Sequence, residues 1–205
     1  MNSDQECQKS ISNSFRAIIL ECRSVLGSEL HYQAMVYFNL RLIGKIPVSQ
    51  MGMNVKTTAE NPVTDFFKSR VEAKHINFRS FGIEFIPDIS IYTTNLNSDW
   101  RRRNFKNTLK ETLYSLEIKA SERYKSRLAY KEIETDIFKL KAQYDETFSK
   151  YGKRIGVGIL IIDTAPKINE RMKSSTLARL LELSKQNDID FWYFSQDEEL
   201  EILNR

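Results

Sequence analysis

The hydrophobic and polar positions along the chain follow two alternating periods. Residues 14–26 place Phe15, Ile18, Ile19, Cys22 and Leu26 on one side of a helix that Gly27 ends. Ser28 caps a second helix reaching about residue 43, with Leu30, Ala34, Tyr37, Phe38 and Leu40 as its apolar contacts and Gly44 closing it. Residues 63–74 read as a helix opened by Pro62, with Phe66, Phe67 and Val71 inward. Over residues 133–149, Ile133, Ile137, Leu140, Tyr144 and Phe148 form one amphipathic stripe, ended by Gly152. A last helix runs from Ser174 or Ser175 to about residue 186, with Leu177, Leu180, Leu181 and Ser184 inward. Residues 1–12 are polar enough to be expected disordered.

Strand spacing fills the intervals. Residues 49–57 carry Met51, Met53 and Val55 in phase, and residues 76–81 form another candidate strand. Residues 155–162 are a continuous apolar run, as expected of a central buried strand, and residues 189–194 read as a final strand. Gly156 and Gly158 fall on one face and are expected to admit a helix at close range. Residues 94–112 are an insertion or loop in which Phe105, Leu109 and Leu113 could also form a short amphipathic helix. The strand–helix–strand–helix–strand tail requires crossovers, hence parallel pairing. An α/β fold is expected, with a central mixed β-sheet flanked by helices on both faces. With neither repeat nor linker, residues 1–205 read as a single domain.

Two further strands carry the chemistry. From residue 85 to 92, Asp88 and Ser90 share one face and Ile89 and Ile91 the other. From residue 114 to 120, Ser115, Glu117 and Lys119 share a polar face opposite Leu116, Ile118 and Ala120. If the two strands are neighbours, Asp88, Glu117 and Lys119 converge. Two carboxylates and an amine around one point suit a hard divalent cation and a water nucleophile. The plain alternative is a Glu117–Lys119 ion pair on a solvated sheet face.

Charge sharpens this picture. The chain carries a net +4, but residues 97–131 hold ten basic residues against four acidic ones, so the remainder is slightly acidic. Within that window Arg101, Arg102, Arg103, Arg123, Lys125 and Arg127 are candidates for contacting a phosphate backbone. A solvated charged face is the bland reading, and the presence of the carboxylates inside the window argues against it. Trp100 reads as a packing residue before a base-stacking one. Cys7 and Cys22 make neither a disulfide framework nor a zinc site, His31 and His75 lack ligand-like neighbours, and a reducing, cytoplasmic compartment is the default expectation. The polar start is unlike a secretory signal, and no apolar run reaches bilayer length. P-loop, GxGxxG, GxSxG and HExxH motifs are absent, which removes the enzyme classes that need them.

Pro87-Asp88 followed by Glu117-Ile118-Lys119 resembles the PD-(D/E)xK nuclease superfamily, with its restriction-endonuclease-like fold. The resemblance implies a metal-dependent endonuclease hydrolysing phosphodiester bonds of nucleic acid, with DNA the first expectation and a homodimer where both strands are cut. It implies that Asp88, Glu117 and the backbone carbonyl of Ile118 hold Mg2+ or Mn2+. Lys119 would orient water and stabilise charge, or, with a depressed pKa beside a metal, accept a proton. It also implies an additional acidic residue from the helix before the sheet, for which Glu29 is the candidate; a helix-dipole role for Glu29 is the alternative. The QxxxY motif of some superfamily exonucleases is missing, since Thr147 stands four positions after Gln143. The rival expectation is an inactive module of the same fold that binds nucleic acid or a protein partner.

Overall fold

A computed structural model describes residues 1–73, 83–96 and 107–204. The expected strand over 76–81, and with it Trp100, Arg101, Arg102 and Arg103, lies outside those residues.

The chain opens with a helix, not with disorder. Helix α1 spans Asp4–Arg23, its first turn capped by the Ser3 hydroxyl, which accepts the Glu6 N–H at 3.2 Å. Cys7 and Ile11 continue the stripe of Phe15, Ile18, Ile19 and Cys22 at helical spacing, and all are buried. The polar residues between them hide that periodicity. Helix α2 (Glu29–Leu42) lies where expected but rotated: Tyr32, Val36 and Leu40 are buried, while Leu30 and Phe38 face solvent.

Two short strands, β1 (Met51–Met53) and β2 (Thr57–Ala59), precede helix α3 (Asp65–Ala73). Strands β3 (Ile83–Phe85) and β4 (Ile89–Tyr92) follow. Part of the expected 94–112 loop is the one-turn helix α4 (Thr108–Glu111), and strand β5 (Thr112–Ala120) starts at its end. Helix α5 (Tyr130–Tyr151), strand β6 (Gly156–Asp163), helix α6 (Ser174–Gln186), strand β7 (Asp190–Ser195) and strand β8 (Glu199–Ile202) complete the order.

The central sheet has six strands in the order β1-β4-β5-β6-β7-β8. β5, β6 and β7 pair in parallel through the crossover helices α5 and α6, whereas β1, β4 and β8 are antiparallel to their neighbours, so the sheet is mixed. β2 and β3 form a separate antiparallel pair. One sheet face, with Leu116, Ile118, Leu160 and Phe194, packs against α1 and α2. The other, with Val157, Ile159, Ile161 and Phe191, packs against α5 and α6. β6 is apolar on both faces because both are covered.

Two sequence expectations are corrected here. Gly156 and Gly158 admit aromatic rings, not a helix. A Cβ on Gly156 would stand 2.1 Å from the Tyr114 ring, and one on Gly158 would meet Tyr114 Oη at 2.5 Å and Trp192 at 2.6 Å. The 189–194 strand is also not the last. β8 adds a charged edge, in which Glu199 pairs with Arg16 and Arg23 of α1 and Glu201 accepts the Trp192 indole N–H.

Candidate active site

Strands β4 and β5 are neighbours, so the side chains predicted to meet do meet on the α5 side of the sheet. Ile89 pairs with Leu116 and Ser90 with Ser115. Asp88 precedes β4, and its Oδ2 accepts the Ile118 N–H at 2.6 Å, in the place of a strand partner. Pro87, just before it, has no N–H and cannot donate to a β4–β5 ladder bond.

The other members of the site come from helices. Lys119 Nζ lies 3.5 Å from Glu29 Oε1 on α2 and 3.2 Å from Asp136 Oδ2 on α5. Lys139 Nζ lies 3.2 Å from Asp136 Oδ1 and 2.8 Å from Glu117 Oε1. Carboxylates and ammonium groups therefore alternate in one chain, Glu29–Lys119–Asp136–Lys139–Glu117, with Asp88 beside it. Formally, four carboxylates face two ammonium groups, leaving two negative charges in excess.

Asp136 and Lys139 are site residues that the sequence patterns above do not single out. A signal for them exists: Asp136, Lys139 and Gln143 recur at spacings of three and four along α5, next to the apolar stripe of Ile133, Ile137 and Leu140. Gln143 donates to the Ser115 hydroxyl at 2.7 Å, so this polar stripe faces the polar face of β5. Of the apolar stripe, Ile133, Ile137 and Leu140 are buried, whereas Phe148 is exposed.

Burial sets the protonation of the site. Glu117 is 2% exposed. Desolvation lifts its pKa from the usual 4.5 to about 8; Lys139 pulls it down, while Asp88 and Asp136 push it further up. Lys139 itself is held above its usual value, because Glu117 and Asp136 outweigh burial. The partners thus pull in opposite directions. The raised carboxyl prevails at Glu117, since full burial beside two other acids exceeds the attraction of one ammonium. Asp88 is raised by burial to about 6, against the Ile118 N–H and the two lysines. Glu29 is raised by burial too. Burial works to lower Lys119, but Asp136 and Glu29 hold it above its ordinary value. Within this row of carboxylates Lys119 is held in its charged form.

The donor set is all oxygen, the kind a hard cation takes. Among the described residues, however, no three Asp, Glu, His or Cys side chains come together as a ready metal cage. The two lysines stand between the carboxylates. The fit to Mg2+ rests instead on Asp88, Glu117 and the Ile118 carbonyl, because Mg2+ is held by one or two carboxylates together with water and phosphate oxygens. Glu117 Oε1 supports this: it is fully buried and has Lys139, at 2.8 Å, as its one partner among the described residues.

A cleft of about 470 Å³ opens beside Lys119, Glu29 and Asp136, and Arg123, Arg127 and Lys131 line its walls. Arg123 is tied to Glu132 at 3.3 Å on the surface. Lys125 is turned away: its N–H donates to Glu170 and its ammonium lies 5.1 Å from the Tyr124 ring centre. No helix among the described residues is long and apolar enough to cross a membrane. No protein-family model, curated protein or solved structure matches this chain.

Proposed function

We propose that the protein is a metal-dependent nuclease of the PD-(D/E)xK kind, hydrolysing phosphodiester bonds with Asp88, Glu117 and Lys119. The observation that carries this reading is the meeting of all three motif side chains at one end of the β4–β5 pair, next to a cleft lined by acidic and basic side chains in equal number, Arg123, Arg127 and Lys131 among them. The sheet agrees with it, since the Glu117–Lys119 strand has an antiparallel neighbour bearing Asp88 and a parallel one reached through a helix.

Asp88, Glu117 and the Ile118 carbonyl would hold Mg2+ or Mn2+, which lowers the pKa of bound water and offsets charge on the phosphate. Arg127, Lys131 and Arg123 attract the backbone of the substrate into the cleft. Lys119 sits where the cleft meets the carboxylates. As a permanent cation it orients the attacking water and stabilises the added negative charge of the transition state. Tyr124, 74% exposed with Lys125 and Lys167 near its ring, offers a stacking surface nearby. DNA, endonucleolytic cutting and a homodimer remain part of the proposal.

The test is incubation of purified protein with plasmid DNA, single-stranded DNA and RNA in Mg2+, Mn2+ or EDTA. Cleavage that needs metal and is abolished by Asp88→Ala and by Glu117→Ala is the expected result. A second reading has its own observation: the two lysines already bridge three of the carboxylates, Glu29, Asp136 and Glu117. It makes the protein a nucleic-acid-binding module or partner-binding subunit of the same fold. Salt-sensitive binding of nucleic acid with no cleavage under any condition selects the module.

A further inference from the structure

We infer that Lys139 is the internal counter-cation of this site, standing in for the divalent ion and leaving Glu117 when that ion binds. The inference rests on the metal-site reading above and adds how the site is kept closed and what opening it requires.

Three observations meet on Lys139. First, its ammonium bridges Glu117 Oε1 and Asp136 Oδ1, joining a strand carboxylate to a helix carboxylate. Second, Lys139 is the one partner of Glu117 Oε1 among the described residues, at 2.8 Å. A fully buried carboxylate oxygen served by a single ammonium carries a large desolvation cost. A neighbouring charge relieves that cost by plain attraction, and a divalent ion would relieve it more fully. Third, the site holds four carboxyl groups and two ammonium groups, so acids outnumber cations where a divalent ion would sit.

A lysine suits this role. Its ammonium is a compact point charge on a flexible four-carbon stem, able to swing aside while the stem stays packed. The cleft beside Asp136 and Lys119 gives the displaced ammonium a place among water and, when substrate is present, phosphate oxygens. The arrangement explains why the carboxylates do not form a ready cage in the metal-free protein: ammonium groups hold them in an alternating row. Lys139 is a positioning residue here. It sets the affinity for the ion and the order of events, and bond cleavage does not require its contact with the substrate.

The experiment measures Mn2+ binding by calorimetry on the intact wild-type protein, Lys139→Met and Glu117→Gln, without substrate. In parallel, wild-type Lys139 is pulse-acetylated with and without saturating Mn2+ and the modified fraction is read by mass spectrometry. Removing the competing ammonium is expected to tighten Mn2+ at least ten-fold in Lys139→Met. Mn2+ is expected to raise acetylation of Lys139 in the wild type several-fold. Wild-type Mn2+ binding that Glu117→Gln abolishes, with unchanged affinity in Lys139→Met and unchanged acetylation, overturns the counter-cation and leaves the metal site standing. Failure of both wild type and Lys139→Met to bind Mn2+ overturns both. If Lys139→Met does not fold, the acetylation of the wild type decides by itself.

Discussion

Strand β5 carries a polar cluster at each end. Near its start Tyr114 points to the α1 side of the sheet; near its finish Glu117 and Lys119 point to the α5 side. Both clusters are buried and both contain acids. At the first, one carboxylate is fully served. Asp190 accepts from Tyr114 Oη at 2.6 Å, from Gln8 at 2.9 Å and from the Asn204 N–H at 2.8 Å. The Tyr114 ring lies over Gly156 and Gly158, which leave room for it. At the second, four carboxylates share two ammonium groups, and Glu117 Oε1 has Lys139 alone as a partner among the described residues. Buried polar groups placed for stability are satisfied. A buried set with more acids than cations costs stability, a cost that a bound cation would offset.

The sharpest way to break this comparison is Lys119→Ala. If the second cluster is catalytic, cleavage falls at least about 100-fold, on the order of 3 kcal/mol of barrier, while nucleic-acid binding stays nearly intact. Arginine at this position rescues poorly, since its planar head does not fit one point between Glu29 and Asp136. Cleavage by Lys119→Ala at the wild-type rate would move the second cluster into the structural class.

Gly156→Ala probes the first cluster. Its Cβ would press on a Tyr114 ring tethered to Asp190, so overpacking by about 1–3 kcal/mol is expected in denaturant melts. Metal affinity should not change, because the substitution lies at the other end and on the other face of β5. A loss of metal binding would show that the two ends are coupled.

A smaller and more local effect comes from Tyr114→Phe, which removes one of the donors to Asp190 and should cost about 1 kcal/mol. A loss several times larger would mean the first cluster is as finely balanced as the second.

The pH dependence separates the clusters without cutting anything. Glu117 and Asp88 bind protons more tightly in the folded protein, with pKa values lifted to about 8 and about 6. Their contribution to stability is therefore full below their unfolded values. It is lost as pH rises through about 6 for Asp88 and about 8 for Glu117. In EDTA, the stability of wild type relative to Glu117→Gln should decline between pH 5 and 9, as read from denaturation midpoints. A relative stability that rises over this range contradicts the sign.

How much of this was legible before folding depended on whether a pattern was local. Helix α6 and strands β6 and β7 lie within a residue or two of their expected bounds, because the apolar period is a property of neighbouring residues, although Lys173 and not Ser174 or Ser175 holds the cap position of α6. The start of α1 was missed because Asp4, Gln5, Glu6, Gln8 and Lys9 surround Cys7 and Ile11, whose burial depends on the rest of the core. On α2 the apolar residues were counted but their phase was not. Tyr32 and Val36 turn inward together with Leu40, and Leu30 and Phe38 stay in water. β8, with only Leu200 and Ile202 alternating with glutamates, is a strand because β7 offers it a partner edge.

The site divides along the same line. The alternation that sends Glu117 and Lys119 to one side of a strand is imposed by backbone geometry, and it could be read two residues at a time. So could the phase of Asp88 and Ser90. Which face of α5 would meet that side could not, because Asp136 and Lys139 are separated from Glu117 by a whole turn-and-helix connection and reach it only through the crossover that makes β5 and β6 parallel. Charges find partners across space, and a one-dimensional pattern holds no distances between its segments. Only the packing of α5 and α2 against β5 decided which lysine stands beside which carboxylate, and so left Glu117 buried against an ammonium instead of exposed to water.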